Sequence, residues 1–360
     1  MSTSSKNCTE IPSAQQKSTR NQRPRADQSF RNITTRRIKK VQKIQLVIHW
    51  KSVILAAVQV MCELPVGKNF HGGSLTMGSF DGFHLGHQSL LQQVKAGPRP
   101  WVVITFDPHP IRVLSPEVPF ARLFPSDDLE HVLAPLGVDL LLKVPFTKEL
   151  ARLSPDDFAI RFFESSLAPK RLVVGYDFAF GRDRKGDLAW MTQWGKNHGC
   201  EVLSSAPIEY NGRVISSRWL RELIGQGEVE IAHRLLGRPF YVRGVVESGA
   251  GLGRTIGSPT LNLRWEGETR PVDGVYSTRV RWQGKTFLSV TNIGIRPTVS
   301  SSSALHIETH LLDENRDLYG QVLEIDFIRF QRPEIKFNSI EDLRNQIQLD
   351  ILKARQDLGS

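Results

Sequence analysis

Between residues 74 and 205, short apolar runs alternate with longer stretches whose apolar positions recur every three to four residues. The runs at 74–78, 101–106, 138–144, 171–175 and 200–204 predict strands, and the stretches at 86–95, 127–135, 155–166 and 187–198 predict helices. Apolar strands spaced by helices imply a parallel sheet covered on both faces. A capped helix after Ile215 and a second over about 228–236, ending near Gly237-Arg238-Pro239, follow. Beyond residue 239 the texture changes. Strand-like segments occupy 240–248, 275–282, 286–292, 305–312 and 321–330, with no long helical stretch until 339–355. Many short strands with one terminal helix predict a small barrel. The apolar run Ile44–Cys62, interrupted by His49 and Lys51, is borderline for a membrane span and is expected to form a surface or core helix.

Ligands of open parallel sheets bind at the C-terminal strand ends, and the polar motifs fall there. The first predicted strand runs into Gly78-Ser79-Phe80-Asp81-Gly82-Phe83-His84-Leu85-Gly86-His87, a glycine-rich turn with two histidines where a helix begins. Helix N-termini offer unpaired N–H groups to anions, so the pattern points to phosphate handling. A metal pair is the alternative, but Asp81 is the one acid beside the histidines and a metal needs more ligands. Phe106-Asp107-Pro108-His109-Pro110 closes the second strand, and Gly175-Tyr176-Asp177-Phe178-Ala179-Phe180-Gly181 closes a later one. In Ile215-Ser216-Ser217-Arg218-Trp219-Leu220-Arg221, either serine can cap the next helix and Arg221 lies in its first turns; a linker helix with a solvated arginine accounts equally for the local pattern.

In the second half, Gly249 to Asn262 holds four glycines besides Arg254, Thr260 and Asn262. Such a stretch can wrap an anion, with the Thr260 and Asn262 oxygens suited to a metal–phosphate group, or it can be a glycine-rich barrel turn. It lacks the Gly-Lys-Ser/Thr ending of a P-loop. Acids are few in this region. Glu308 sits inside a strand pattern, where it either faces solvent or takes a hydroxyl proton during phosphoryl transfer.

The formal charge of +10 invites a nucleic-acid reading, but its distribution argues against one. Residues 1–45 hold eleven of the 47 Lys and Arg and two of the 37 acids, leaving about +1 on the other 315 residues. The excess belongs to a polar basic tail, expected to be disordered, that suits non-specific polyanion contact, organellar targeting or an over-extended reading frame. No secretory signal is expected at its start. Cys8, Cys62 and Cys200 have no metal spacing or disulfide framework and fit the reducing cytoplasm.

Taken together, these motifs resemble the bacterial bifunctional riboflavin kinase/FAD synthetase family over about residues 72–356. The resemblance implies an α/β nucleotidyltransferase-type parallel-sheet domain (72–225) that adenylylates FMN. It implies a six-stranded β-barrel kinase domain with a C-terminal helix (228–356) that phosphorylates riboflavin. The basic tail (1–45) has no counterpart. Substrates and products would be ATP, riboflavin, FMN and FAD, with Mg2+, and neither specific nucleic acid nor integral membrane association is expected. By the same resemblance, Gly78 to Gly82, His84 and His87 form the nucleotide-binding turn, and the histidines stabilise adenylyl transfer. Asp107, His109, Asp177 and Phe178 shape the flavin and nucleotide sites, and Ser216, Ser217 and Arg221 close on the triphosphate. Arg218 stands where the family usually has Thr.

In the kinase half, Gly253, Arg254 and Gly257 match the phosphate loop, with Ser258 in place of a usual Phe. Pro259-Thr260-Leu261-Asn262 matches the Pro-Thr-x-Asn signature whose Thr260 and Asn262 hold Mg-ATP. Gly274-Val275-Tyr276, Asn292-Ile293-Gly294, Arg296-Pro297-Thr298, Leu318-Tyr319-Gly320, Arg332-Pro333-Glu334, Lys336-Phe337 and Asp350 also match, and Glu308 aligns with the catalytic base. Two other readings fit parts of the pattern. Arg218 suggests a riboflavin kinase with an impaired adenylyltransferase domain. The tail suggests a flavin- or nucleic-acid-binding regulator.

Overall fold

A computed structural model of the chain describes residues 58–248, 259–295, 305–314 and 316–359. Its first part is a sheet of six parallel strands, β1 (Gln59–Met61), β2 (Ser74–Met77), β3 (Trp101–Asp107), β4 (Leu140–Pro145), β5 (Arg171–Gly175) and β6 (Glu201–Ser205), in the order β1-β4-β3-β2-β5-β6. Successive residues of these strands face opposite sides, and both sides are apolar. Leu75, Val102, Ile104, Leu140, Leu142 and Leu172 pack into one core layer, while Val103, Leu141 and Val173 pack into the other. This is why the strands read as continuous apolar runs.

Helix α1 (Leu85–Lys95) follows β2 and buries Leu90, Leu91 and Val94 against the second layer. Helix α2 (Pro110–Leu114) follows β3, and α3 (Asp128–Leu133) precedes β4 and continues as a 3-10 turn over Ala134–Leu136. The short α4 (Lys148–Arg152) comes next, and α5 (Pro155–Ala159) starts with Ser154 as cap and proline in its first turn. From Ile160 to Leu167 that helix widens to π geometry, burying Phe162 and Phe163. Helix α6 (Leu188–His198) leads into β6. After a small hairpin of β7 (Glu209–Tyr210) and β8 (Arg213–Val214), helices α7 (Ser217–Gly225) and α8 (Val229–Leu236) complete this part.

The second part is a closed antiparallel barrel of β9 (Phe240–Glu247), β10 (Leu261–Trp265), β11 (Gly274–Trp282), β12 (Lys285–Ile295), β13 (Leu305–Leu311) and β14 (Val322–Arg332), in the order β10-β13-β12-β11-β14-β9. Its interior mixes Val280, Ile293, Ile307, Leu323 and Phe327 with a hydroxyl ladder. Thr278 bonds to Ser289 at 2.7 Å and Thr291 at 2.8 Å, and Thr291 bonds to Thr309 at 2.8 Å, so these buried hydroxyls satisfy one another. Helix α9 (Ile340–Leu358), capped by Ser339, is tied to the barrel by two-pronged pairs of Asp350 with Arg332 and of Arg355 with Asp313.

Two sequence expectations need correction. Of the 44–62 run, residues 58–62 are described, and there Gln59–Met61 is an edge strand and not a helix; its backbone pairs with β4, Gln59 N donating to Asp139 O at 3.1 Å, while residues 44–57 lie outside the described residues. The glycine-rich stretch also gives way to a strand earlier than expected. Leu261–Trp265 is β10, with Leu263 buried between Asn262 and Arg264, an alternation too short to stand out beside the preceding glycines. The basic tail of residues 1–45 lies outside the described residues.

Candidate functional site

The chain runs outward from β2 to β3 and β4, then crosses back to place β5 on the other side of β2. The crevice between the C-terminal ends of β2 and β5 is therefore a topological switch point, where open α/β sheets bind ligands. A cleft of about 320 Å³ opens there. It is lined by Gly78, Ser79, Phe80, His84 and His87 after β2, by Asp177 and Phe178 after β5, and by Ser216 and Ser217 at the start of α7.

The turn after β2 is built from unusual backbone. Phe80, Gly82 and Phe83 have φ values of 47°, 84° and 42°. Phe80 and Phe83 are buried, which anchors the strained turn to the core. Thr105 holds it from β3, its hydroxyl donating to Ser79 O at 3.2 Å. His84 is the N-cap of α1 without a side-chain cap bond, so the N–H groups of the first turn have no intrahelical acceptor, the arrangement that suits an anion. The rings of His84 and His87 stack with centroids 3.8 Å apart. Burial lowers both basicities, that of His87 to about 3, while His84 is also depressed by its neighbour His87 and by Arg238. Both are neutral at pH 7, and the Nδ1 atom of each is buried without a protein partner. Gly86 has a direct role: a Cβ there would lie 3.1 Å from the His84 ring.

Beneath the turn, Asp81 is buried and accepts from Leu123 N at 3.0 Å and from the Arg221 guanidinium. Burial pushes its carboxyl up, and Arg221 opposes that. Arg221 also donates through Nε to Ala121 O and lies over the Phe120 ring at 4.6 Å. It is not among the residues lining the cleft. Arginine carries five N–H donors, so this engagement leaves others for a ligand. Ser216 caps α7 through Trp219 N at 3.3 Å, and Ser217 donates to Asp81 O at 2.8 Å. The Arg218 side chain is 88% exposed and pairs with Glu222, outside the cleft lining.

Asp107 and His109 do not join this cleft. They line a second cavity of about 300 Å³ with Arg112, Arg122 and Phe124 from the sheet part and Glu268 from the β10–β11 connection. The His109 ring stacks on Phe120, and burial together with Arg122, Arg221 and Arg112 brings its basicity down to about 4.

Residues without a local motif support the turn from behind. Arg238, next to the C-terminus of α8, donates to Gly82 O at 2.9 Å, pairs with buried Asp128 at 3.3 Å and covers Phe124. Gln88 donates to Phe83 O at 3.0 Å and Leu236 O at 2.8 Å. The one sequence signal for Arg238 was its place in the Gly-Arg-Pro break after a helix.

On the barrel, strand register brings three predicted residues into one row: Asn262 is opposite Glu308, and Glu308 is opposite Asn292. Directly opposed residues share a face, so these side chains are neighbours. That face is the outer one, because the flanking Ile307 and Thr309 are buried in the barrel. Asn292 donates to Glu334 at 2.9 Å. Thr260 stands two residues before Asn262, and Pro259 O is bonded to the His310 ring at 2.8 Å. Gly253, Arg254, Gly257 and Arg296 lie outside the described residues. Among the described residues no group of three or more His, Cys, Asp or Glu is placed to hold a metal ion.

Family models agree with this division. Residues 66–219 match that of FAD synthetase and residues 236–358 that of riboflavin kinase. Bifunctional riboflavin kinase/FMN adenylyltransferases from Pseudomonas fluorescens and Escherichia coli K12 are 36% and 37% identical, over 78% and 80% of this chain and 91% and 93% of theirs. A solved Streptococcus pneumoniae structure, described as a macrolide-efflux protein, is 30% identical with a TM-score of 0.74, covering 83% of this chain and 99% of its own. Two family matches in tandem, each on its own fold, and relatives matched over nearly their whole length place this chain in the bifunctional riboflavin kinase/FMN adenylyltransferase family.

Proposed function

We propose that the chain makes FAD in two steps at two separate sites. Riboflavin and ATP give FMN and ADP on the barrel, and FMN and ATP then give FAD and pyrophosphate at the sheet. The observation that carries this reading is that the two motif sets fall on different folds: the stacked histidines at the switch-point cleft, and the Asn262–Glu308–Asn292 row on the barrel. The working domains are 72–225 and 228–356, preceded by the basic tail of 1–45.

In the kinase step, the Glu308 carboxylate takes the proton of the terminal ribityl hydroxyl as that oxygen bonds to the γ-phosphorus and the bond to ADP breaks. Thr260 and Asn262 offer neutral oxygens, which suits Mg2+ arriving on the nucleotide with most of its ligands supplied by phosphate and water. Bound there, the ion neutralises phosphate charge. The phosphate-loop residues Gly253, Arg254 and Gly257, and Asn292 and Arg296, complete the proposed binding set.

In the adenylylation step, an FMN phosphate oxygen attacks the α-phosphorus and pyrophosphate leaves. The nucleophile is already an oxyanion, so no base is needed. The work is charge stabilisation. His84 and His87 serve as neutral N–H donors together with the first-turn amides of α1, and Arg221 supplies a permanent cation. Gly78 to Gly82, Asp177, Phe178, Ser216 and Ser217 shape this cleft, and Asp107 and His109 the adjoining cavity. The reducing cytoplasm suits exposed Cys62 and buried Cys200, both free thiols. Among the described residues no helix is long and apolar enough to cross a membrane.

The test follows riboflavin, FMN and FAD together in one reaction with ATP and Mg2+. Glu308→Gln abolishes FMN formation and leaves conversion of supplied FMN to FAD intact, and His84→Ala does the reverse. Equal loss of both activities in either variant contradicts separate sites.

A further inference from the structure

We propose that Glu268 and Thr269, carried by the β10–β11 connection of the barrel, are positioning residues for adenylylation at the sheet. They hold the backbone of Ala121, Arg122 and Leu123, on which Arg221 is seated. The proposal rests on the reading of the sheet part as an FMN adenylyltransferase.

The 121–123 segment is neither helix nor strand, so no regular ladder fixes it. Its backbone groups are taken from two sides. On the cleft side, Ala121 O accepts from Arg221 Nε, and Leu123 N donates to Asp81 at 3.0 Å. Asp81 in turn grips the Arg221 guanidinium. On the barrel side, Arg122 N donates to the Glu268 carboxylate at 2.7 Å. Arg122 O accepts from Thr269 N at 3.1 Å and from the Thr269 hydroxyl at 2.6 Å. Thr269 is buried at 4% exposure, so these bonds are shielded from competing water. Three consecutive residues therefore connect a barrel loop to the cation proposed to meet the triphosphate.

Glu268 does more than bond to the backbone. It pairs with Arg112 in the cavity that also holds Asp107, His109 and Arg122. Without that carboxylate, Arg112 loses its partner among four groups whose charges interact. Mere adhesion between the two parts needs only apolar contact, whereas these bonds converge on the one segment that seats Arg221. A shift of that segment moves Arg221 relative to the reacting phosphates, and small misplacements of a charge-stabilising group are costly in rate.

The test uses the full chain and measures FAD formation from FMN and ATP alongside FMN formation from riboflavin and ATP. Thr269→Val removes the hydroxyl donor without changing shape. It is expected to lower the adenylylation kcat by about tenfold, with smaller changes in KM and with the kinase rate held within about twofold. Thr269→Ser restores the rate. Glu268→Gln keeps an acceptor for Arg122 N, loses the charge facing Arg112, and falls between the two. Because Thr269 acts through Arg221, combining Thr269→Val with Arg221→Lys costs less than the product of the separate losses. Wild-type adenylylation by Thr269→Val, failure of Thr269→Ser to recover, multiplicative losses in the double variant, or an equal fall of both activities each overturn the proposal. A wild-type chain that forms FMN but no FAD overturns the adenylyltransferase reading itself, and this proposal with it.

Discussion

Arg238 provides a prediction in which stability and activity separate. Its guanidinium, 12% exposed, faces the Asp128 carboxyl, 5% exposed, and also donates to the carbonyl of Gly82 in the nucleotide turn. Arg238→Met leaves Asp128 buried and unpaired. Burial already pushes that carboxyl up, and Arg238 is the first group opposing the rise. The carboxyl then neutralises, and taking it from an ordinary value near 4 to neutral at pH 7 caps the loss at about 4 kcal/mol. At roughly 2–4 °C per kcal/mol for a domain of this size, the sheet transition falls by about 10 °C in thermal unfolding. The pair is imperfect, since Arg238 Nε and Asp128 Oδ1 are both buried without partners. Replacing both residues by apolar ones therefore removes a costly burial along with the attraction. Arg238→Met with Asp128→Leu is expected to regain most of the lost stability. Adenylylation stays impaired, because Gly82 O has lost its donor, and the kinase rate is unchanged. A double variant as unstable as the sum of the singles would refute the reasoning, as would one that recovers stability and adenylylation together.

Two further outcomes follow from the same turn. Gly86→Ala places a Cβ 3.1 Å from the His84 ring, which must shift by a few tenths of an ångström against its stacked partner; adenylylation should fall severalfold while the helix gains up to about 1 kcal/mol, and an unchanged FAD-forming rate would remove the role given to Gly86. Burial holds His84 well below its ordinary basicity in the folded state. The unfolded chain thus binds the extra proton, and stability present above pH 6.5 is lost as pH falls. The loss attributable to this ring grows steadily as pH falls below the ordinary histidine range. Urea midpoints over that range should flatten in His84→Asn, and a slope equal to wild type would show that His84 carries no such linkage.

The chemistry was largely legible in the sequence, and its support was not. Strand ends announce themselves: an apolar run stops, a glycine permits a turn, and a polar residue appears where the sheet edge opens. His84, His87 and Asp177 were found that way and Ser216 as a helix-cap candidate, and the structure gathers all four into one cleft. The spacing could not separate that cleft from the cavity of Asp107 and His109, because strand order decides it: β3 and β5 flank β2 on opposite sides. The Asn262–Glu308–Asn292 row likewise depends on register across three strands, although resemblance had named its members singly. Arg238 with Asp128 and Glu268 with Arg122 are pairs separated by 110 and 146 residues, and although Asp128 opens a periodic helix, no local pattern points from either residue to its partner. Each half of such a pair looks like an ordinary surface charge until the chain brings the other half to it. Reactive groups must lie where the backbone leaves the sheet, which writes a local signature. Groups that hold them in place need only arrive at the right point in space, and two folds joined by one short helix pair supply many routes to it.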